Sequence, residues 1–60
     1  AYPEALNNRA NTLREMGRLQ DAVEAFEQAL SARPDYPDAL SNLGVTLQEI
    51  QSKTGVPLLQ

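Results

Sequence analysis

The stretch that decides the fold is Tyr2-Pro3-Glu4-Ala5-Leu6-Asn7-Asn8, which returns along the chain as Tyr36-Pro37-Asp38-Ala39-Leu40-Ser41-Asn42. The offset between the two copies is 34 residues. When residues 1–17 are set against residues 35–51, eight positions are identical. Two unrelated amphipathic helices would match at apolar positions, but they would not also match a tyrosine, a proline and an asparagine at one offset. The sequence therefore holds one complete repeat and the first half of a second.

Composition excludes several classes of function. The 60 residues make one small domain at most, and they include no cysteine and no histidine. A disulfide framework and a zinc site of the usual ligands are therefore excluded, and two common catalytic side chains are missing. We predict no enzyme activity, no catalytic residues, no metal and no cofactor.

Charge and hydropathy exclude further classes of binding partner. A net charge of -3 disfavours binding to nucleic acid or to an anionic membrane surface, because both need clustered Lys and Arg. No apolar segment reaches the length of a transmembrane helix, and the first residues do not resemble a signal peptide. The expected partner is a protein or a peptide, and the expected location is cytoplasmic.

Three amphipathic helices are predicted from the spacing of apolar residues. The first covers about residues 3–16, because Pro3 suits a first helical turn and Gly17 suits the residue after a helix. The second covers about residues 20–32 and must end before Pro34. Its apolar residues recur with helical spacing: Leu19, Ala22, Val23, Phe26, Ala29 and Leu30.

The third helix, over about residues 37–51, begins like the first, with Pro37 in its first turn. The short connection between the first two helices predicts an antiparallel hairpin, so the fold class is all-α with a repeat segment over residues 1–51. Residues 52–60 are predicted to form an irregular tail, because Gly55 and Pro57 disfavour a helix. The tail either frays or folds apolar side chains over the third helix or a neighbouring chain: Val56, Leu58 and Leu59.

These motifs resemble the tetratricopeptide repeat (TPR), a 34-residue helix–turn–helix unit. The resemblance covers residues 3–51 and rests on Leu6-x-x-Arg9-Ala10-x-x-Leu13, on Ala22-x-x-x-Phe26-x-x-Ala29 followed by Pro34, and on Leu40-x-x-Leu43-Gly44-x-x-Leu47. It implies a right-handed helical-repeat (solenoid) scaffold for binding proteins. Arg9 departs from the pattern, since the family usually has an apolar residue there; it is expected either to be exposed or to contact a preceding repeat.

The resemblance also implies a peptide-binding surface. The tract from Ala5 to Asn11 is similar to repeats of the O-linked N-acetylglucosamine transferase type and of related bacterial repeat proteins. In those proteins, one asparagine per repeat lines the concave surface and hydrogen-bonds the backbone of an extended peptide. Asn8 and Asn42 match that asparagine, and Asn7 and Asn11 are expected to assist them. An amide suits the role because it both donates and accepts hydrogen bonds.

Other interpretations of the same residues stay open. Asn8 and Asn42 are alternatively plain surface residues of a structural or oligomerising fragment, or part of a substrate-recruiting arm of a larger glycosyltransferase. Family members that bind C-terminal carboxylates use a clamp of Lys and Arg, which is not expected here, since only Asn11 and Asn42 fit it. The concave face is mildly acidic and should favour neutral or basic peptides.

The packing of the half repeat predicts self-association. Leu43, Leu47 and Ile50 should lie partly in water, which forfeits about 1.5–3 kcal/mol for each side chain left unburied. A homo-oligomer formed through the third helix or through the C-terminal tail would recover that burial. Phe26 is predicted to be in the core, and Tyr2 and Tyr36 are predicted to pack at the corner between repeats.

Overall fold

The computed structural model describes residues 2–54 and confirms the all-α fold. It contains three helices: α1 (Pro3–Glu15), α2 (Leu19–Ala32) and α3 (Pro37–Thr54). α1 and α2 form a hairpin, and α2 also packs against α3, whereas contacts between α1 and α3 are few. Within residues 2–54, none of the helices combines the length and the hydrophobicity that crossing a membrane requires.

The two copies of the Tyr-Pro motif start α1 and α3 in the same way. Each proline occupies the first helical turn, where its missing N–H costs nothing. The amide of Leu6 donates to the carbonyl of Tyr2 at 3.0 Å, and the amide of Leu40 donates to that of Tyr36 at 3.1 Å. The repeated sequence therefore sets a repeated helix start.

Gly17 ends α1 and reverses the chain. Its φ of 85° lies in the left-handed region, which costs an L side chain about 1–2 kcal/mol. Its amide donates to the carbonyl of Arg14 at 3.0 Å, and the amide of Arg18 donates to that of Leu13 at 2.9 Å. These two bonds form the Schellman arrangement, which satisfies carbonyls that the helix end would leave free.

The core is built mainly from alanine. Phe26 is fully buried, and the alanines of the core cluster surround it. The small side chains let the three helices approach closely around one aromatic ring. The buried cluster consists of Ala10, Ala22, Ala25, Phe26, Ala29 and Ala39.

The loop between α2 and α3 is linked to the start of α1. Arg33 Nη1 donates to Glu4 Oε2 at 3.1 Å, and the guanidinium of Arg33 lies 5.0 Å from the centre of the Tyr36 ring. Tyr36 packs against the core, as predicted. The prediction for Tyr2 was wrong, since this side chain is 81% exposed and has no preceding helix in the described residues to pack against.

α3 is longer than predicted. It continues through Ser52, Lys53 and Thr54 instead of ending near residue 51. Gln51 occupies the place that Gly17 has in the first repeat, but a glutamine is compatible with helical geometry and gives the chain no reason to stop. The rest of the predicted tail, with Gly55 and Pro57, lies outside the described residues.

Two glycine-to-alanine substitutions separate backbone strain from crowding. A Cβ added at Gly17 or at Gly44 would meet no atom within 4 Å, so the two sites differ in backbone angle and not in space. We expect Gly17→Ala to lower the free energy of unfolding by about 1–2 kcal/mol. Gly44→Ala, in the middle of a helix, should raise it by up to about 1 kcal/mol. Urea unfolding in dilute solution, followed by circular dichroism, measures the free energy of unfolding of both variants. Changes of the same sign would contradict the explanation by backbone angle.

Candidate functional site

Two of the four predicted asparagines, Asn7 and Asn42, lie where α1 and α3 meet. Asn7 of α1 is only 7% exposed, and its Oδ1 accepts a hydrogen bond of 3.4 Å from Nδ2 of Asn42 on α3. This side-chain hydrogen bond joins α1 to α3 directly. Its length places it at the weak end of the range. We give the name amide seam to the bonded pair Asn7 and Asn42 together with the residues one helical turn after each of them, Asn11 and Thr46.

The bond gives Asn42 a structural role that the sequence did not reveal. The repeated asparagine was expected to be free to bind a ligand, yet its amide connects one repeat to the next. It still has spare hydrogen-bonding capacity, because a primary amide offers two donors and two acceptor lone pairs. Asn42 is therefore both a structural residue and a candidate ligand contact.

Thr46 is the seam residue that the sequence analysis did not select. It is fully buried, and its Oγ1 donates to the carbonyl of Asn42 at 2.8 Å. Thr12 makes the same bond to the carbonyl of Asn8 at 3.2 Å, but it is exposed. The identity of Thr12 and Thr46 in the two repeats was the available signal. Because the hydroxyl of Thr46 is hydrogen-bonded within its own helix, this buried residue contributes packing to the amide seam but no free hydrogen-bond donor.

Asn11 carries the unusual feature of the site. Its Oδ1 is buried and has no hydrogen-bond partner among the described residues. It lies one helical turn after Asn7 and so on the same face of α1. A buried acceptor without a partner costs about 1–3 kcal/mol, and such groups are rare enough to need a reason. A donor supplied from outside the chain is one such reason.

Asn8 lies apart from the other three asparagines. It is exposed, and it follows Asn7 by about 100° around the helix, away from the seam. Asn8 and Asn42 are equivalent in the repeat. Asn42, however, is bonded to a residue of another helix, Asn7 of α1. The structure thus brings Asn7 and Asn42 together, places Asn11 next to them along α1, and leaves Asn8 on the rim.

A cavity of about 440 Å³ lies at the C-terminal ends of α1 and α3. It brings together Glu15 and Glu49, which are equivalent in the two repeats, and the basic residues Arg14 and Lys53. Gly17, Leu19 and Ser52 complete the lining. Glu15 and Glu49 are exposed, so this end of the groove offers two carboxylates to a ligand.

A second groove, of about 190 Å³, lies on the α1–α2 hairpin. Charged side chains dominate its lining, and Arg18 pairs there with Asp21 at 2.7 Å. Arg9, the residue that departs from the repeat pattern, is exposed and lines this groove beside Glu24. The pairing of opposite charges makes this a solvated polar surface, where such ion pairs contribute little to stability.

Matched substitutions test the environments of Asn7 and Asn11. Asn11→Leu removes an unpaired buried acceptor, so we expect the free energy of unfolding to rise by about 1 kcal/mol. Asn7→Leu removes the partner of Asn42, so the same substitution one turn earlier should lower it by about 1 kcal/mol. Urea denaturation of both variants gives the two signs. A loss of stability in Asn11→Leu would show that its acceptor is satisfied in solution.

Comparison with known proteins agrees with the geometry at the level of the family. No curated protein and no solved structure matches the chain, so the finer resemblance to transferase-type repeats has no relative behind it and stays a prediction. The sequence model of the family described as TPR repeat matches residues 10–51, which is more than half of the chain. Such repeats are generally protein–protein interaction modules, and their fold is typically a non-catalytic scaffold. The chain therefore belongs to the tetratricopeptide repeat family.

Proposed function

We propose that the chain binds an extended peptide segment of a partner protein along the groove between α1 and α3. The observation that carries the proposal is the buried, unpartnered acceptor of Asn11. Asn11 is only half-buried as a residue, so its amide can turn this covered oxygen outward, where a peptide backbone N–H would supply the missing hydrogen bond. Binding would then recover a free energy of about 1–3 kcal/mol that the unliganded chain loses at this position.

The neighbouring amides extend this contact into a short row. Asn42 retains a second N–H and acceptor capacity after its bond to Asn7. Asn7 holds the Asn42 amide in place and is itself too buried to make much contact with a ligand. Asn8, on the rim, would contact only a peptide that reaches across α1. Backbone contacts of this kind select an extended conformation and not a particular side chain.

Charge selects among extended peptides. Glu15 and Glu49 both line the cavity at the C-terminal ends of α1 and α3. Arg14 and Lys53 line the same cavity, so its charge is mixed, but the chain as a whole carries a net charge of -3. We therefore propose neutral or basic peptides as ligands, and we expect raised salt to weaken the binding of the basic ones.

Two other functions fit the family but have less support. In the structural alternative the helices only stack on one another. This interpretation does not account for the unpartnered acceptor of Asn11. In the other, the chain recruits substrates for a glycosyltransferase domain that lies elsewhere, and no contact among residues 2–54 bears on this. A cytoplasmic location stays a prediction.

A peptide selected from an unbiased library provides the test. Its dissociation constant is measured by fluorescence anisotropy with the wild-type chain and with Asn11→Leu, Asn42→Ala and Asn8→Ala. We expect about tenfold weaker binding for Asn11→Leu and Asn42→Ala, since each loses a hydrogen bond to the ligand, and a smaller effect for Asn8→Ala. Gln20→Ala, an exposed polar residue on α2, is the matched control and should bind like the wild type.

An amide-to-ester scan of the peptide identifies the donor. Replacing one backbone N–H by an ester oxygen removes a donor without changing side chains. At one position the ester should weaken binding to the wild type but not further weaken binding to Asn11→Leu. If no peptide is selected, or if all three asparagine variants bind like the Gln20→Ala control, the groove is not the binding site.

A further inference from the structure

The cavity at the C-terminal ends of α1 and α3 is lined by charges that the chain itself leaves unpaired. Glu15 and Glu49 occupy equivalent positions of the two repeats, and each brings one carboxylate to the lining. Arg14 and Lys53 bring two cations to the same cavity. Among residues 2–54, none of these four side chains forms an ion pair or a hydrogen bond. The volume of about 440 Å³ lies within the range of ligand sites, so the cavity can admit a side chain of a partner.

The positions of the two basic residues have an explanation within the chain. Arg14 lies in the last turn of α1, and Lys53 lies in the last turn of α3. The C-terminal end of a helix carries a partial negative charge, so a cation is favoured there whether or not a ligand binds. These two residues therefore do not indicate what the cavity binds.

Glu15 has no such explanation. It is the final residue of α1, where the partial negative charge of the helix end opposes its carboxylate. Within residues 2–54, it is the only acidic residue in the last turn of a helix. By contrast, Glu4, Asp21 and Asp38 lie in first turns, where the helix dipole favours them. A cation that the chain does not supply would explain an unpaired carboxylate at this unfavourable position.

Helical register connects this cavity to the amide seam. Glu15 lies one turn after Asn11, on the same face of α1. Glu49 lies three residues after Thr46, on the same face of α3. From Asn11 to Glu15 the helix advances about 6 Å, and an extended peptide covers that distance in about two residues. A peptide bonded to Asn11 therefore brings the side chain two residues away to the cavity.

We propose that the cavity binds one lysine or arginine side chain of the peptide, two residues from the one whose N–H bonds to Asn11. The cation lies against the carboxylates of Glu15 and Glu49, one from each repeat. This inference rests on the proposed peptide function and adds a position to it. Net charge favours basic peptides wherever their cations lie, whereas the cavity favours a cation at one place. Both carboxylates are exposed, so the gain in affinity is about fivefold and falls at high salt.

Fluorescence anisotropy with substituted peptides measures this selectivity. The probe is the peptide selected from the library, remade with lysine, arginine, norleucine or glutamate at each position in turn. Norleucine keeps most of the stem of lysine and removes its charge. At one position, two residues before or after the N–H donor that the ester scan identifies, lysine or arginine should bind about fivefold more tightly than norleucine. Glutamate should bind more weakly than norleucine there, and other positions should prefer lysine by less than about twofold.

Variants that remove one charge show whether the preference comes from the cavity. Glu15→Gln and Glu49→Gln should each lower the ratio of lysine to norleucine affinity about twofold, and the double variant should bring it close to one. Glu27→Gln is the matched control, because Glu27 is exposed on α2, lines neither cavity and loses the same charge. It should leave the ratio unchanged.

The outcomes separate this inference from the proposed function. A peptide that binds and depends on Asn11, but prefers a cation at no position, would overturn the cation site and leave peptide binding in place. The cation site would also be overturned if Glu27→Gln lowered the ratio as much as Glu15→Gln, because net charge alone would then explain the preference. If no peptide is selected, both proposals fail.

The thermal midpoint of Glu15→Gln is a readout that needs no peptide. Removing the opposed charge at the helix end should raise the midpoint at low ionic strength by about 2–5 °C, although the same substitution weakens binding of the lysine peptide. Glu27→Gln, which lies away from the ends of α2, should shift the midpoint less. A midpoint that does not rise in Glu15→Gln would overturn the proposal, because the helix end would then not oppose this carboxylate.

Discussion

The packing of Phe26 among alanines is the contact on which the rest of this structure depends. The ring is fully buried, and alanines from all three helices close around it. Because a methyl group is the largest side chain that these alanines contribute, α1 and α3 both reach α2 at close range. The amide seam is a consequence of this arrangement, since Asn7 and Asn42 meet only because each helix is already held by α2. The amide seam therefore takes its geometry from the apolar core on its other side.

The features that depend on local chemistry could be predicted from the sequence. The starts of α1 and α3 follow from a proline that needs no N–H partner, and the end of α1 follows from a glycine with positive φ. The end of α3 was predicted too early because the prediction extended the effect of Gly55 and Pro57 back to residue 52. Ser52, Lys53 and Thr54 precede that glycine and proline, and their backbones are compatible with helical geometry.

The site was harder to predict than the fold because it depends on how far each helix is rotated about its axis. Periodicity shows which residues share a face, but neighbouring residues such as Asn7 and Asn8 differ by about 100°. That difference separates a buried amide bonded to α3 from an exposed one on the rim. Sequence alone pointed to Asn8 and Asn42 as equals, whereas the contact between helices makes one of them structural. The buried acceptor of Asn11 likewise has no counterpart in any sequence pattern.

Comparison of the two repeats shows why identical residues have different surroundings. Ala5 and Asn8 are exposed on α1, whereas their equivalents Ala39 and Asn42 face the preceding hairpin and are covered or bonded. Leu6 shows the reverse, since α2 packs on it while Leu40 lies in water. Positions such as Ala39 and Asn42 face the helical hairpin that precedes them in the chain. Positions such as Leu6 face the helix that follows them.

The exposure of a side chain in this chain therefore depends more on whether a neighbouring helix is present in the described residues than on the hydrophobicity of the residue itself. The same leucine is covered on α1 and open on α3 because α2 follows one and not the other in the described residues. A covering group for α3 must meet the requirements that α2 meets for α1: it must be apolar, free of charge and able to come close at a small residue.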